Sequence, residues 1–461
     1  MRPKGEAEEE GRRLNATLRW RSGGAQAASW SSGRSPPLRP ENIVHQTMKT
    51  SSARAPSASS KITPMIRGPI RSRTRRWSAA LAILGALGAA SAAVLAPAAA
   101  SALAAGLPID PEKLLNGEDD NAGRQVLQRE RARWVAAAWN ELPGWGQDRA
   151  LEWWPALLRG CEKPMPGWAA ICTQARGFKP GDDWDAMVWL MKRLQPYRVE
   201  SPEGRREGVA TGYYEPELTA RRQAQGDFRV PLLAPPQDLA QRKPYDTRQQ
   251  IEQQIENNAS LTRLSLAWVQ DPLEALVMQI QGSGRLRVTE RDGRSRWVRL
   301  SFAAHNEQPY RSMGQWLIAQ GELRATEASW SGIKDWGRRN PQRLKEAMWA
   351  NPRYVFFREE PLPDLAVGPR GGQGVPLTPG RSIAVDKASI PYGTPVWLDT
   401  TEPLSTTPMR RLVMAQDTGA AIVGAVRADY FWGWGEAAEA QAGRMKQPLR
   451  LWVLWPKGLT R

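Results

Sequence analysis

The strongest constraint on the fold is a change of sequence pattern near Gly208. Before it, apolar residues recur at three- and four-residue spacing, which indicates amphipathic helices. Helices are predicted at Arg129–Leu142, Asp148–Arg159 and Asp182–Leu194. After it, short β-type runs alternate with glycine, proline and aspartate. We therefore predict a mixed, mainly β fold with N-terminal helices.

The β-type runs fall into an earlier and a later group, separated at Asn351-Pro352. The earlier runs are VATGYY, FRVPLL, ALVMQIQG, RLRVTE and RWVRLSF, and the later ones are RYVFF, RSIAV, TPVWL, RLVMA and LRLWVLW. Between them, helical spacing predicts helices at Thr247–Asn257, Arg311–Ala325 and Ser329–Trp349.

Residues 71–105 have the order of a secretory signal peptide: arginines, an apolar run, then Ala-x-Ala cleavage sites. An uncleaved membrane anchor is the alternative. Residues 1–70 are predicted to be a disordered tail or a misassigned start, with translation beginning at Met65. No cysteine follows the apolar run closely enough to accept a lipid. We expect a soluble periplasmic protein, with association with the outer membrane as a further possibility.

The net charge of +17 does not indicate nucleic acid. Residues 1–104 hold 16 Lys/Arg and 5 Asp/Glu, so 17 − 11 = +6 remains for residues 105–461. That part has no basic stripe of the kind that binds a phosphate backbone, and mild positive charge suits another anionic polymer.

The cysteine and histidine content argues against a metal site. His305 is the single histidine of the exported part, and no Cys/His cluster accompanies it, so we expect neither metal nor cofactor. Cys161 and Cys172 are predicted to form a disulfide after export, with two free buried thiols as the alternative.

Asp417-Thr418-Gly419 is the tripeptide that holds a catalytic carboxylate in aspartic proteases. Those enzymes need two such carboxylates sharing one proton, and Asp-Ser/Thr-Gly occurs once here. A local turn stabilised by Asp417 is a second interpretation. Asp429 follows twelve residues later (429 − 417) and, on its own, suits a helix N-cap.

Taken together, five blocks resemble the membrane-bound lytic murein transglycosylase A family. In the family's order they span most of residues 150–460. They are Thr211–Pro216, Met278–Arg285, Asn306 with Pro309–Gly314, Asn351–Arg358, and the three motifs that contain Asp386, Asp417 and Asp429.

The resemblance implies a double-psi β-barrel domain with an inserted smaller β domain and a groove between them. The barrel domain would comprise an N-terminal helical part with the first strands, residues 106–215, and a C-terminal part, residues 351–461. Residues 216–350 would form the insert. The groove would bind peptidoglycan glycan strands, and the predicted enzyme is a peptidoglycan lytic exotransglycosylase, a glycan-cleaving lyase.

In such a family, the aspartate at the position of Asp429 is the sole catalytic acid and base, with Asp417 beside it. One carboxyl suffices because the substrate's own C6 hydroxyl attacks and closes a 1,6-anhydro ring. The acid needs a raised pKa, which we expect from the aromatic residues 430–432 and from a charged Asp417. Asp386 and Gly393 are expected to be structural.

The predicted substrate-binding residues lie upstream. Tyrosines would stack on sugars or fill the core, and the Gln-Gly-Ser-Gly segment would hydrogen-bond to the glycan or form a plain β-turn. His305 is expected to support the site. The binding candidates are Gly212, Tyr213, Tyr214, Gln281, Gly282, Ser283, Gly284, Asn306 and Tyr310.

Two further features bear on function. The family usually has a second glycine where this chain has Ala420, which bears on how closely the backbone approaches a sugar. The 19 tryptophans after residue 104 suit core packing and sugar binding. A monomer is expected, with cell-wall synthesis or division proteins as candidate partners. A non-catalytic glycan-binding protein is the alternative function, and an aspartic protease is the third.

Overall fold

The computed structural model describes residues 124–257 and 260–459. The predicted tail, residues 1–70, and the predicted signal peptide, residues 71–105, lie outside the described residues. Within the described ranges, no helix combines the length and the apolar character that crossing a membrane requires.

The described strands form two sheets. The nine-stranded sheet contains β1 Val126–Gln128, β2 Arg133–Ala136, β3 Leu194–Glu200, β4 Gly208–Glu215, β11 Ser382–Val385, β12 Thr394–Thr401, β13 Pro408–Asp417, β14 Arg427–Trp434 and β15 Lys446–Pro456. The six-stranded sheet contains β5 Glu217–Arg221, β6 Val230–Leu233, β7 Ser265–Val269, β8 Ser283–Thr289, β9 Ser295–His305 and β10 Val355–Pro361.

The helices surround these sheets. They are α1 Ala150–Gly160, α2 Ala169–Gly177, α3 Asp183–Arg193, α4 Arg248–Asn257, α5 Pro272–Gln281, α6 Met313–Ala319, α7 Trp330–Arg339, α8 Leu344–Trp349 and α9 Gly435–Ala442. The helices predicted at Asp148–Arg159 and Asp182–Leu194 are confirmed as α1 and α3. Asp182 caps α3, since its carboxylate accepts the Asp185 N–H at 2.8 Å.

The nine-stranded sheet closes on itself into a barrel. Its order is β1-β2-β3-β15-β12-β13-β11-β14-β4, and β4 also pairs with β15, so the six strands from β15 to β4 form a ring. The β11–β13 and β14–β4 pairs are parallel, whereas the other pairs within the ring are antiparallel. Closure leaves those strands no free edge. The predicted fold class, mainly β with a double-psi β-barrel, is confirmed.

The six-stranded sheet has the order β10-β9-β8-β5-β7-β6. Strand β10 follows the predicted insert, residues 216–350, yet it pairs with β9 along its whole length. By strand pairing, the second sheet therefore extends to Pro361. The boundaries of the insert stay a prediction.

The helix predicted at Arg129–Leu142 is wrong, because this segment contributes strand β2. Trp134 is fully buried, with its ring 5.2 Å from that of Trp455 and the Arg129 guanidinium stacked 3.9 Å from its centroid. Pairing of β2 with β3 at the edge of the barrel sheet outweighs the helical spacing of the alanines.

The β-type interpretation of ALVMQIQG is also wrong, because these residues form α5. The helix begins with Asp271, whose carboxylate accepts the Leu273 N–H at 2.7 Å, and with Pro272 in its first turn. Gly282 ends it at φ 85°, a left-handed conformation that glycine adopts freely. A short apolar run fits a buried strand or a buried helix, and these end signals distinguish the two.

Candidate active site

Asp417 and Asp429 lie on either side of strand β11 of the barrel. Ala384 of β11 is in register with Asp417 of β13 on one side and with Asp429 of β14 on the other. Neighbouring strands lie about 4.8 Å apart, so the two main chains are separated by about 10 Å. The small Ala384 side chain leaves the space between the carboxyl groups open.

Asp429 lies inside strand β14, and the helix that follows begins only at Gly435. The helix N-cap interpretation of Asp429 is therefore wrong. Parallel pairing of β14 with β4 places Asp429 opposite Thr211, whose hydroxyl hydrogen-bonds to carboxyl oxygen Oδ1. The Arg427 guanidinium in turn donates to the Thr211 hydroxyl oxygen at 2.9 Å.

These contacts suggest one direction for the hydrogen bonds. Arginine has donors only, so the Thr211 oxygen accepts from Arg427. The Thr211 hydroxyl donates to Asp429 Oδ1. With this hydrogen bond kept, a proton on Asp429 is carried by Oδ2.

Burial raises the pKa of Asp429, while the Thr211 hydrogen bond and the Arg427 charge oppose this. The expected aromatic cover is only partly present. Phe431 lies on the same face of β14, packed against Tyr213 with ring centroids 5.2 Å apart. Tyr430 lies on the opposite face, where its hydroxyl donates to the Gly380 carbonyl at 2.7 Å. The alternation of a strand therefore removes Tyr430 from the expected cover.

Asp417 is held by three donors. Its Oδ1 accepts the Thr418 and Gly372 N–H groups, each at 2.8 Å, and its Oδ2 accepts the Tyr213 hydroxyl at 2.9 Å. Burial raises the pKa of Asp417 to about 6, and the charge of Asp429 adds to this, although the three hydrogen bonds oppose it. Both carboxyl groups therefore hold protons more tightly than an exposed aspartate does.

Both carboxyl groups open into one cavity of about 1190 Å³ between the barrel and the six-stranded sheet. Most of the predicted binding residues line it, namely Gly212, Tyr213, Tyr214, Gln281, Gly282, Ser283 and Tyr310. His305 lines it as well. The sequence-predicted residues are thus brought together from both sheets.

Two of the predicted binding residues are structural instead. Asn306 is fully buried, and its amide bridges the Asp246 and Pro352 carbonyls, both at 2.8 Å, while its oxygen accepts the Tyr354 N–H. Gly284 lies under Met278, where a Cβ would be 2.6 Å from the sulfur. Buried polar groups need such partners, so these positions serve packing.

The tyrosines differ from the expected stacking platforms. The Tyr213 ring is 9% exposed and uses its hydroxyl to hold Asp417. The Tyr214 ring is buried against Val277, Ala438 and Ala442, and its N–H donates to Gln281 Oε1 at 3.1 Å. The Gln281–Gly284 segment is the end of α5 running into β8, so the plain β-turn interpretation is also wrong.

Other cavity residues were missed by the sequence reasoning. Thr211 and Arg427 hold Asp429, and a Cβ on Gly212 beside them would meet Trp432 at 2.6 Å. The signal was the Thr-Gly-Tyr-Tyr block itself, in which Gly212, Tyr213 and Tyr214 were predicted to bind substrate and Thr211 was not. Phe302, 43% exposed, and the partly exposed Trp330 offer apolar surface to a sugar.

The residues expected to be structural lie outside the cavity. Asp386, at the end of β11, accepts the Ala388 and Gly424 N–H groups, and Gly393 occupies a turn at φ 82°. Cys161 and Cys172 form a disulfide with their Cα atoms 5.3 Å apart, which joins the end of α1 to α2. Within the described residues, no group of three His, Cys, Asp or Glu side chains could hold a metal ion.

Comparison with known proteins matches this architecture. Residues 209–358 match the MltA specific insert domain, and residues 381–455 match the 3D domain. Membrane-bound lytic murein transglycosylase A of Escherichia coli strain K12 is 30% identical over 267 residues, 57% of this chain and 69% of that protein.

Solved structures are similar along nearly their whole length. The lytic transglycosylase LtgG of Burkholderia pseudomallei is 41% identical, with 73% of this chain and 98% of that chain covered and a TM-score of 0.52. MltA from Neisseria gonorrhoeae is 31% identical, with 74% and 96% covered and a TM-score of 0.62.

The barrel, the second sheet and the cavity with its two aspartates, together with these matches, define the class: a lytic murein transglycosylase. Within that class, the chain belongs to the membrane-bound lytic murein transglycosylase A family.

Proposed function

We propose that this protein cleaves the bond between N-acetylmuramic acid and N-acetylglucosamine in peptidoglycan glycan strands, with Asp429 as the only acid and base and a 1,6-anhydro product. The observation that supports this most is the directed contact from Arg427 through Thr211 to Asp429 Oδ1. It leaves Oδ2 as the oxygen that exchanges a proton.

In the first step, Asp429 Oδ2 gives its proton to the glycosidic oxygen, and the bond to the muramic acid carbon breaks. The raised pKa keeps this proton in place before the reaction. In the second step, the carboxylate takes the proton of the C6 hydroxyl on the same sugar, whose oxygen closes the anhydro ring. The attack is intramolecular, so no second carboxylate is needed to activate water.

Asp417 has a different role in this proposal. Its three donors hold its orientation, and a pKa of about 6 leaves it charged above that pH. A negative charge across Ala384 from Asp429 favours the protonated acid and stabilises the positive charge that develops on the sugar. Its neighbour in the cavity is Asp429 and not a second Asp-Thr-Gly loop, so the protease interpretation has no support.

The product distinguishes the candidate functions. Purified sacculi are digested with the mature protein, and the released fragments are analysed by mass spectrometry. Anhydro ends, lighter than the hydrolysed sugar by one water, are the expected result. Reducing ends would identify a hydrolase, and no release would leave a glycan-binding protein; either outcome overturns the proposal.

The cellular location of the protein and the domain boundaries predicted from the sequence are also part of the proposal. An exported periplasmic protein with a cleaved segment at residues 71–105 is consistent with the disulfide and with the substrate. Fractionation of cells and N-terminal sequencing of the mature chain test this. Recovery of the unprocessed chain in the cytoplasm would contradict it.

A further inference from the structure

The cavity carries far more positive than negative charge. Its carboxyl groups are those of Asp417 and Asp429, both with raised pKa values, whereas six basic side chains line it. The basic residues are Lys163, Arg248, Arg353, Arg358, Arg370 and Arg427. A glycan backbone of N-acetylated sugars is uncharged, so it does not account for this excess.

Several of these cations are already neutralised or occupied. Arg248 is fully buried and pairs with Glu252 at 3.3 Å, and Arg358 pairs with Glu360 at 2.9 Å. Arg427 is used by the Thr211 hydroxyl and by backbone carbonyls. These three therefore do not need a ligand.

Arg353 differs from them. Its Nε donates to the Gln308 carbonyl at 2.8 Å, and its backbone N–H donates to Asn351 Oδ1, so the side chain is fixed at its base. In the part of the chain that the structure describes, it has no carboxylate partner. Burial lowers the pKa of Arg353. Its two terminal nitrogens are left for the cavity.

His305 adds a neutral donor at the same end of the cavity. Its Nδ1 accepts the Glu307 N–H at 2.9 Å, so in the neutral ring the hydrogen is on Nε2. Burial, and next the nearby charge of Arg353, lower the pKa of His305, which favours this neutral form. Phe302 lies beside it, with ring centroids 6.1 Å apart. A fixed guanidinium, an N–H donor and an exposed ring together suit a carboxylate on a short organic chain.

We propose that Arg353, with His305, binds a carboxylate of the peptides attached to the glycan strand, so that peptide-bearing strands are preferred over bare glycan. This rests on the proposed function, because it assumes a peptidoglycan strand in the cavity. Peptides on the muramic acid residues carry free carboxylates and leave the strand at regular intervals. Arginine binds a carboxylate through two parallel hydrogen bonds, which lysine cannot reproduce.

The test compares two substrates with the same glycosidic bond: strands with their peptides, and the same strands after an amidase has removed them. For the wild type, kcat/KM is expected to be at least about tenfold higher on peptide-bearing strands, because even one of the two charge-assisted hydrogen bonds has an effect of this size. Arg353→Gln should lower that value to the level of bare glycan and leave bare glycan unchanged. Arg353→Lys should restore only part of it.

The matched control is Arg287→Gln, which removes the same charge from an exposed position on β8 outside the cavity lining. It should change neither value. Equal wild-type rates on both substrates, or equal losses in Arg353→Gln and Arg287→Gln, would overturn the inference. In either case anhydro products would still support the proposed function. Failure of the proposed function would instead show as the absence of anhydro ends from both substrates.

A binding measurement separates the possible sources of the anion. Titration of the mature protein with a free peptide bearing two carboxylates should show binding that Arg353→Gln removes, and the fully amidated peptide should not bind. If inorganic phosphate binds through Arg353 and the peptide does not, the site is a phosphate site and the inference is wrong.

Discussion

Strand β4 meets two kinds of carboxyl group. In its middle, Thr211 and Tyr213 donate hydroxyl hydrogen bonds to Asp429 and Asp417 in the cavity. At its end, its own Glu215 is fully buried and pairs with Arg285 at 2.7 Å and Arg299 at 2.6 Å. Glu215 lies only four positions after Thr211 (215 − 211), yet its carboxyl group is paired with two arginines, whereas the carboxyl groups in the cavity accept hydroxyl hydrogen bonds.

The carboxyl groups differ in their hydrogen-bond and ion-pair partners. The two guanidiniums on Glu215 also donate to the Leu365 and Val367 carbonyls. This cluster joins a barrel strand to β8, β9 and the chain after β10, and its two guanidiniums are paired with the Glu215 carboxylate. Asp429 accepts a hydrogen bond from the Thr211 hydroxyl and is affected by the charge of Arg427. Burial has the larger effect, so the pKa of Asp429 rises. One site holds a charge for structure, and the other holds a proton for chemistry.

The largest effect is expected at the structural end. Glu215→Gln leaves the buried Arg299 without a counter-charge and Arg285 with only Glu217, 3.8 Å away, and should lower the free energy of unfolding by about 3–5 kcal/mol. Urea unfolding measures this. Glu360→Gln, which removes the partner of the half-exposed Arg358, should cost about 1 kcal/mol or less. Similar losses of unfolding free energy in Glu215→Gln and Glu360→Gln would contradict the distinction between the buried and the exposed ion pair.

At Asp417, removal of the charge is expected to increase the free energy of unfolding, the opposite of the effect at Glu215. Its folded pKa of about 6 lies above the unfolded value near 4, so the ionised form costs stability at neutral pH and the cost disappears as the pH falls. Relative to the wild type, Asp417→Asn should gain about 1–2 kcal/mol at pH 7.5 and lose that gain between about pH 7 and pH 4.

Unfolding curves at several pH values give this difference. Asp292→Asn is the control, because Arg294 lowers the pKa of Asp292 and the pH trend should reverse. An Asp417→Asn variant that is less stable than the wild type at pH 7.5 would place Asp417 with Glu215 among the structural charges.

Tyr213→Phe sharpens the comparison within the cavity. It removes the donor to Asp417 Oδ2 and keeps the ring packed against Phe431, so the pKa of Asp417 should rise above about 6. We expect kcat to fall about tenfold at pH 7, the usual range for one hydrogen bond to a charged group, with KM little changed. The Tyr214 ring packs against Val277, Ala438 and Ala442 and not against Asp417 or Asp429, so Tyr214→Phe should leave the pH profile as it is, and a change equal to that of Tyr213→Phe would contradict the assignment.

The smallest effect concerns Thr211. Its hydrogen bond lowers the pKa of Asp429, so Thr211→Val should raise that pKa and move the alkaline limb of the kcat/KM profile to higher pH. Thr211→Ser keeps the hydroxyl and should restore the wild-type profile. A several-fold loss of kcat is expected for the valine variant alone. If the alkaline limb stays at the same pH in Thr211→Val, that limb does not reflect the ionisation of Asp429.

Local patterns predicted the mainly β character, whereas the double-psi barrel and the roles of Asp417 and Asp429 were predicted from the resemblance to a known family. The alternating runs of the barrel and the blocks around Asp417 and Asp429 are each contiguous in the sequence. The failures at β2 and α5 have local causes, since the alanines that follow a short strand and the apolar run of a buried helix both give ambiguous spacing.

The contacts that tune the site could not be predicted in the same way. Thr211 and Asp429 are 218 residues apart, and only the parallel register of β4 with β14 makes them neighbours. Pairing of Glu215 with Arg285 and Arg299 depends on how the two sheets meet. No periodicity within one segment contains that information, so Thr211, Arg427 and Glu215 were not singled out for these roles.

The most direct test of the account is Asp429→Asn, measured for both activity and stability. Asparagine can still accept from Thr211 through its oxygen, but it cannot give or take the proton on the cavity side. We predict that release of anhydro ends from sacculi falls by at least about a thousandfold, while the free energy of unfolding at pH 7.5 stays equal or rises. A variant that releases anhydro ends at the wild-type rate, or that unfolds as readily as Glu215→Gln, would contradict the account.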